Sequence, residues 1–362
     1  MQIVKDLGER VPGSLRAALT EAALHLKMTI PKADVSGLSE YNRAYLGRKL
    51  AVLDDVLCLY ATILGLALAR TGKKLSETTF VEYGAGLGLM SLLAVRAGVG
   101  TVIVNDIYDV SVEDAGKLGR ILGLAPARSV CGTLEDVLRT TQDQGLRIDA
   151  VASYDVIEHV YDASGLFHLL AALPGPVSVT MASGANPYNP RIARPIRRLH
   201  HDVETRNREP EPGRKERDCL LSYREARAEI VRQCFQEAGR RPGEQETQAL
   251  AERTRGMDAA DIRQAVSWYL TKGALPAGPA HPSNTCDPYT GNFAERLMCP
   301  GELSGILSKN GFRARVLAGR YGAAKNAALA AAKALANAAI LVSGPAAMAL
   351  SPYYVVYGVK DE

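Results

Sequence analysis

"FVEYGAGLGLMSLLAVRAG", residues 80–98, is the stretch that decides the fold. The β-branched and aromatic residues of "TFVEY" (79–83) read as a strand, and "LGLMSLLAVRAG" carries apolar residues at helical spacing. Between them stand Gly84, Gly86 and Gly88, with the carboxylate of Glu82 two residues ahead of the first. Glycine costs conformational entropy wherever it is fixed, so such a cluster needs a cause. A strand that hands over to a helix supplies one. The backbone must turn tightly, the missing Cβ lets another molecule approach the main chain, and the helix N-terminus offers unpaired N–H groups.

The pattern continues outward from this turn. Further strands are expected at 101–106 "TVIVND", 127–131 "ARSVC", 148–154 "IDAVASY" and 177–182 "VSVTMA", with helical periodicity in "SVEDAGKLGRILG" between the early ones. Strands alternating with helices imply right-handed crossovers and a parallel sheet covered on both faces. Residues 14–72 read as helices before the sheet begins, with Gly72 as a stop. After the fifth strand, residues 186–300 are polar and hold helical stretches at 222–239 and 244–273. The strand signal then returns in "RARVLAGRY" (313–321) and "YYVVYGVK" (353–360). The sequence thus predicts an α/β fold in four parts: a helical preface over 1–75, a core over 76–185, an insertion over 186–300 and completion of the core over 301–362.

The bulk numbers narrow the class. The chain has 362 residues, 47% hydrophobic and 23% charged, as in a globular protein. A net charge of +4 over that length does not suggest a general nucleic-acid binder. The six cysteines lie far apart, which argues against a zinc ribbon or a disulfide framework and points to reduced thiols in the cytoplasm. No apolar run of signal-peptide length opens the chain, and no 20-residue span free of polar interruption is evident.

Two further features specify the site. "VIVNDI" ends the second strand at Asp106, and "IDAVASYDVIEHVYD" (148–162) runs the fourth strand into Asp155, Glu158 and His159. The loop reads acid-x-Gly-x-Gly-x-Gly, not the G-x-G-x-x-G of nicotinamide-binding folds. Together these residues resemble the class I, Rossmann-like S-adenosylmethionine-dependent methyltransferases, over roughly residues 75–185 and 300–360. The resemblance implies a mostly parallel sheet closed by an antiparallel last strand, and S-adenosylmethionine as cofactor. It places Glu82, Gly84, Ala85, Gly86 and Gly88 at the methionine end of the cofactor and Asp106 on both ribose hydroxyls. Thr133 and Leu134 would lie by the adenine, and Asp155 near the amino group and the methyl donor. In "CGTLED" the acid often found beside the adenine is displaced, so Glu135 or a main-chain amide would take that contact.

A hydroxyl acceptor is helped by a base titrating near neutrality, for which histidine is the usual side chain. His159 sits at the turn after the fourth strand, as a base or as an orienting residue of that loop. His200 and His201 follow Arg191, Arg194, Arg197 and Arg198, with Asp202 and Glu204 behind them. A histidine base with an orienting carboxylate is one reading of this run, and a polar surface segment is the other. Adjacent residues rarely point the same way, so no metal is expected there. Arg197 and Arg198 would clamp a phosphate or carboxylate of the substrate, or pair with neighbouring glutamates.

"HPSNTCDPYTGNFAERLM" (281–298) has the composition of an ordered loop, in which Asn284, Asp287, Tyr289 and Asn292 would hydrogen-bond a polyhydroxylated acceptor or satisfy one another. The alanine-rich stretch 322–350 reads as a helix to Gly344-Pro345, interrupted by Lys325, Asn326, Lys333 and Asn337. Packing on the domain or a subunit contact is favoured there over a membrane surface. The expected activity is methylation, at oxygen, of a small or glycan-like polar acceptor. The alternatives are N- or C-methylation, or a non-catalytic cofactor-binding scaffold.

Overall fold

The computed structural model describes residues 4, 5, 7, 11–209, 219–322, 324 and 326–361. The end of the charged run at 210–218, and Lys325, lie outside the described residues. The strands are β1 (Thr79–Tyr83), β2 (Thr101–Asp106), β3 (Arg128–Cys131), β4 (Ala150–Tyr154), β5 (Val177–Ser183), β6 (Arg313–Ala318) and β7 (Tyr354–Lys360). They form one sheet in the order β3-β2-β1-β4-β5-β7-β6. The first five run parallel, and β7 is antiparallel to both of its neighbours. Because β1 lies between β2 and β4, chain direction across the sheet reverses there, and a crevice opens at the carboxyl ends of those strands.

Alternation along β1 sends Phe80 to one face and Val81 to the other. Phe80 packs with Leu19, Leu26, Ile63, Leu64 and Leu93 from α1 (Gly13–Thr29), α3 (Leu53–Leu68) and α4 (Leu89–Arg96), joined by Leu118 of α5 (Asp109–Ile121). Val81 packs with Val137, Phe167 and Leu307 from α6 (Leu134–Asp143), α7 (Ala163–Ala171) and α12 (Pro300–Lys309). The preface is therefore a layer of the core. Helix α2 (Glu40–Leu50) joins the same layer through Leu46, and its entry is held by Asp114 of α5. That buried carboxylate accepts hydrogen bonds from the Ser39 amide and the Asn42 side chain, each at 2.9 Å.

The insertion leaves the sheet after β5 as α8 (Pro190–Thr205), followed by α9 (Tyr223–Glu237), α10 (Glu244–Arg253) and α11 (Ala259–Lys272). The helix expected over 244–273 is two. Gly256, at φ +81°, breaks it, and the Asp258 side chain caps α11 by accepting from the Asp261 amide. Helices α9 to α11 share a small core of their own around Ile230, Phe235, Leu250, Ile262 and Val266.

The last helix departs from expectation. In α13 (Ala327–Ser343) only Ile340 is buried, while Leu335 is 74% and Val342 87% exposed. Alanine offers too little area to fasten it to the domain. By length and composition alone, Ala327–Leu350 is apolar enough to cross a membrane, although no such span was expected from the sequence. The following 3-10 stretch, Gly344–Leu350, returns Ala347 and Met348 to the core.

Candidate active site

A cavity of about 750 Å³ opens at the carboxyl ends of β1, β2 and β4. Gly84, Gly86, Asp106, Thr133 and Asp155 line its floor; Tyr41, Tyr45 and Lys49 of α2 and parts of the insertion form its walls. The glycine turn after β1 is held by the Ala85 amide, which donates to the Asn105 carbonyl at 2.8 Å. Gly86, at φ +53°, presents bare backbone to the cavity: a Cβ there would have nothing nearer than the Tyr45 ring at 3.9 Å. Its amide donates to Asp106 Oδ2 at 2.8 Å, and the Tyr108 amide donates to Oδ1 at 2.9 Å. Gly84 is required for a different reason, since a Cβ would lie 2.4 Å from Val156 Cγ2.

Other cofactor contacts expected from the sequence are placed elsewhere. Glu82 does not line the cavity; its Oε2 accepts from the Ser91 amide at 2.6 Å, beneath the turn and one step inside α4. Burial raises its carboxyl to about 7, against the pull of Ser91. Ala85 and Gly88 also lie behind the lining, Gly88 as the left-handed residue that starts α4. Thr133 reaches the cavity while capping α6, in a reciprocal box with Asp136. Leu134 turns into the core beneath β1 and β2.

At the end of β4, Asp155 adopts φ 54° and accepts from the Gly184 amide at 2.7 Å. Burial raises its carboxyl, which Gly184 and the Lys49 charge partly offset. One turn on, His159 Nδ1 lies 2.7 Å from the Phe293 carbonyl. A carbonyl only accepts, so Nδ1 carries the proton and Nε2 keeps its lone pair, 3.9 Å from Glu295 Oε1. Main-chain bonds from Phe293 to His159 and from Arg296 to Glu158 clip the returning insertion onto this turn.

The remaining histidines stand apart. Leu199 and Val203 of α8 face the cavity, whereas Arg197, His200, His201 and Glu204 face a second one, of about 660 Å³, behind the helix. His200 is buried with Nε2 bonded to the Glu295 carbonyl and Nδ1 to Ser283 Oγ, and desolvation lowers its pKa. His201 is exposed, and Arg198 lines neither cavity. In the 281–298 loop, Asn284 is spent on both main-chain groups of Leu297. Asp287 accepts from the amides of Tyr289 and Thr290 and faces Arg208. Tyr289 is exposed and donates to Glu229. Of the four expected acceptor contacts in that loop, Asn292 alone lines the cofactor cavity.

Sequence reasoning missed α2 and Glu295. The Lys49 ammonium lies 5.1 Å from the Tyr45 ring centroid and 6.0 Å from those of Tyr60 and Tyr154. Burial lowers its pKa while Asp155 raises it. The signal was the four-residue spacing of Tyr41, Tyr45 and Lys49, which puts them on one helix face.

The sheet order, the acid-x-Gly-x-Gly-x-Gly turn and the carboxylate closing β2 give the chain the Rossmann-like fold of class I S-adenosylmethionine-dependent methyltransferases. No family model matches it. Over 141 residues it is 30% identical to the mitochondrial ubiquinone biosynthesis O-methyltransferase of Arabidopsis thaliana. The match takes in 38% of this chain and spans only 40% of that relative's length. Among solved structures, an S-adenosylmethionine-dependent methyltransferase from Mesorhizobium loti is 13% identical, with 80% of this chain and 94% of that one covered at a TM-score of 0.35. A geranyl diphosphate C-methyltransferase from Streptomyces coelicolor A3(2) is 16% identical, with 37% and 50% covered at 0.31.

Proposed function

We propose that the chain is an S-adenosylmethionine-dependent methyltransferase that methylates a hydroxyl of a small polar or glycan-like acceptor. The observation that supports this most directly is the open backbone of Gly86 bonded to Asp106 on the cavity floor. The residues there fit the cofactor: main chain without a Cβ in the way, and a carboxylate at the end of β2 for sugar hydroxyls. When bound, the cofactor supplies an electrophilic methyl group on a sulfonium, whose sulfur leaves with the electron pair.

Each wall then has a task. Gly84, Gly86 and Asp106 hold the nucleoside, with Thr133 at the end of β3. Asp155 orients the amino end, and α2 closes over it with Tyr41, Tyr45 and Lys49. Leu199, Val203, Tyr223 and Phe293 of the insertion offer an apolar surface to the acceptor, with Asn292 and Arg208 as polar contacts. The acceptor hydroxyl meets Asp155, His159 and Glu295 at the cavity wall, a group that draws off its proton. Positioning supplies most of the rate in such a displacement. We assign the protein to the cytoplasm, in keeping with six cysteines that form no disulfide.

The test is calorimetry with the demethylated cofactor, then incubation with radiolabelled cofactor and a small-molecule extract. Uptake followed by label on an acceptor oxygen supports the proposal. Label on nitrogen or carbon overturns the hydroxyl assignment, uptake without transfer overturns catalysis, and no uptake overturns the whole reading.

A further inference from the structure

We infer that Glu158, His159 and Glu295 form the protein half of a divalent-cation site in the wall of the cofactor cavity. One carboxylate oxygen of each glutamate and one ring nitrogen of the histidine all lie within 4.8 Å of one another. Two donors on one ion, each about 2.1–2.3 Å from it, stand about 3–4.5 Å apart, so small rotations complete the set. The Nε2 to Oε1 distance of 3.9 Å between His159 and Glu295 already falls in that range.

Glu158 carries the argument. Its side chain is 0% exposed, and neither Oε atom reaches a hydrogen-bond partner among the described residues. Burial, and then the neighbouring Asp155 and Glu295 carboxylates, push its carboxyl well above the ordinary range, opposed only in part by Ser183, which completes no bond to it. Arg296, whose amide donates to the Glu158 carbonyl, turns its guanidinium over the Phe293 ring at 4.4 Å and forms no ion pair with Glu158. A buried carboxylate without hydrogen bonds or a counter-charge is costly, and a metal ion removes that cost. The neighbouring Tyr354 hydroxyl is likewise buried without a partner.

The surroundings orient the other two ligands. The Phe293 carbonyl fixes the His159 tautomer so that Nε2 is free to ligate, the usual outer-shell arrangement for a metal-bound imidazole. His200, from α8, donates to the Glu295 carbonyl at 3.1 Å and so holds the strap that carries Glu295. Among the described residues only Glu295 and Asp155, three residues before Glu158, are non-glycine residues with positive φ. No thiolate is in the set, and two carboxylates with one imidazole suit Mg2+ or Mn2+. His159 and Glu295 line the cavity, so the ion's remaining positions face the acceptor. There it would bind paired oxygens, as in a vicinal diol or a hydroxy acid. That last statement rests on the methyl-transfer reading, whereas binding of the ion does not.

The experiment is a Mn2+ titration of chelator-treated full-length protein, read by the paramagnetic resonance of free ion, with Glu158→Gln, Glu295→Gln and the exposed control Glu77→Gln alongside. One saturable site, weakened at least tenfold in both cluster variants and unchanged in the control, supports the inference. Absence of saturable uptake by the parent protein overturns it, as does parental affinity in both cluster variants. Glu295, at the cavity wall, gives a readout even if Glu158→Gln fails to fold. Demethylated-cofactor binding on the same samples separates the two readings. Cofactor uptake without Mn2+ uptake overturns the ion alone, and Mn2+ uptake without cofactor uptake leaves the ion standing while overturning methyl transfer.

Discussion

The Gly86 amide donates to the Asp106 carboxylate across 2.8 Å, tying the turn after β1 to the end of β2. The same carboxylate accepts from the Tyr108 amide, so one side chain both shapes the turn and faces the cavity. Charge-assisted hydrogen bonds contribute about 1.5–3 kcal/mol each. Asp106→Ala is expected to weaken demethylated-cofactor binding by about tenfold to a hundredfold in calorimetry, and Asp106→Asn by less. Parental affinity in both variants would remove Asp106 from the site.

Gly84 and Gly86 separate packing from binding. At Gly84 a new Cβ meets Val156 at 2.4 Å with φ at +68°, so Gly84→Ala should cost about 3 kcal/mol of stability. At Gly86 the space is open, and Gly86→Ala should cost only about 1 kcal/mol for its left-handed backbone. Its defect should appear as lost cofactor affinity. Urea unfolding and calorimetry on both variants check the contrast, and equal loss of stability would contradict it.

Glu82 gives stability a pH dependence. Burial raises its carboxyl from the ordinary 4.5 to about 7 in the folded chain. The folded chain then keeps a proton that the unfolded chain releases, so this contribution is complete below pH 4.5 and is lost as pH climbs through 7. A gap of this size corresponds to roughly 3 kcal/mol. Glu82→Gln, which cannot ionise, should flatten that part of the curve in urea unfolding from pH 4.5 to 8. Parallel curves for the two proteins would show that Glu82 does not carry the effect.

The histidines sort by position. His201 is exposed on the cavity behind α8, and His201→Ala should leave single-turnover label transfer unchanged. His159 faces the cofactor cavity, and His159→Ala should slow transfer by about a hundredfold or more with cofactor affinity kept. Slowing by the first variant and not the second would reverse the assignment.

Burial decided what the sequence carried. Strands buried on both faces leave contiguous apolar runs, so β1 to β5 and the glycine turn were legible. The direction of a side chain was less so. His200 and His201 adjoin Leu199, yet only Leu199 reaches the cofactor cavity, because a helix turns successive residues to different sides. Asn284 and Asp287 have the composition of acceptor contacts but are consumed by their own loop. Glu295 reads as an ordinary loop acid until the chain folds back and sets it beside His159. The four-residue spacing of Tyr41, Tyr45 and Lys49 was visible but is shared by many amphipathic helices.

Arg227 holds the insertion together, and its removal should be felt there first. It is 1% exposed, with Nη1 and Nη2 bonded to Glu204 at 2.9 and 2.7 Å and Nε to the Ala251 carbonyl at 2.7 Å. One guanidinium therefore joins α9 to α8 and α10. Arg227→Ala leaves Glu204 without its counter-charge in a largely buried place, where Thr285 still donates to it, and should cost about 3–5 kcal/mol. Arg227→Lys keeps the charge without the two-pronged fork and should cost less. The single tryptophan of the chain, Trp268, is half-exposed on α11 with the Lys272 ammonium 5.8 Å from its ring centroid, a contact one helical turn long, so its fluorescence reports on the integrity of α11. In urea, the Trp268 transition of Arg227→Ala should move to lower denaturant than the circular-dichroism transition dominated by the sheet and its helices. A shared shift of both signals would mean that the insertion and the sheet unfold as one unit, and an unshifted Trp268 transition would mean that Arg227 is not the tie.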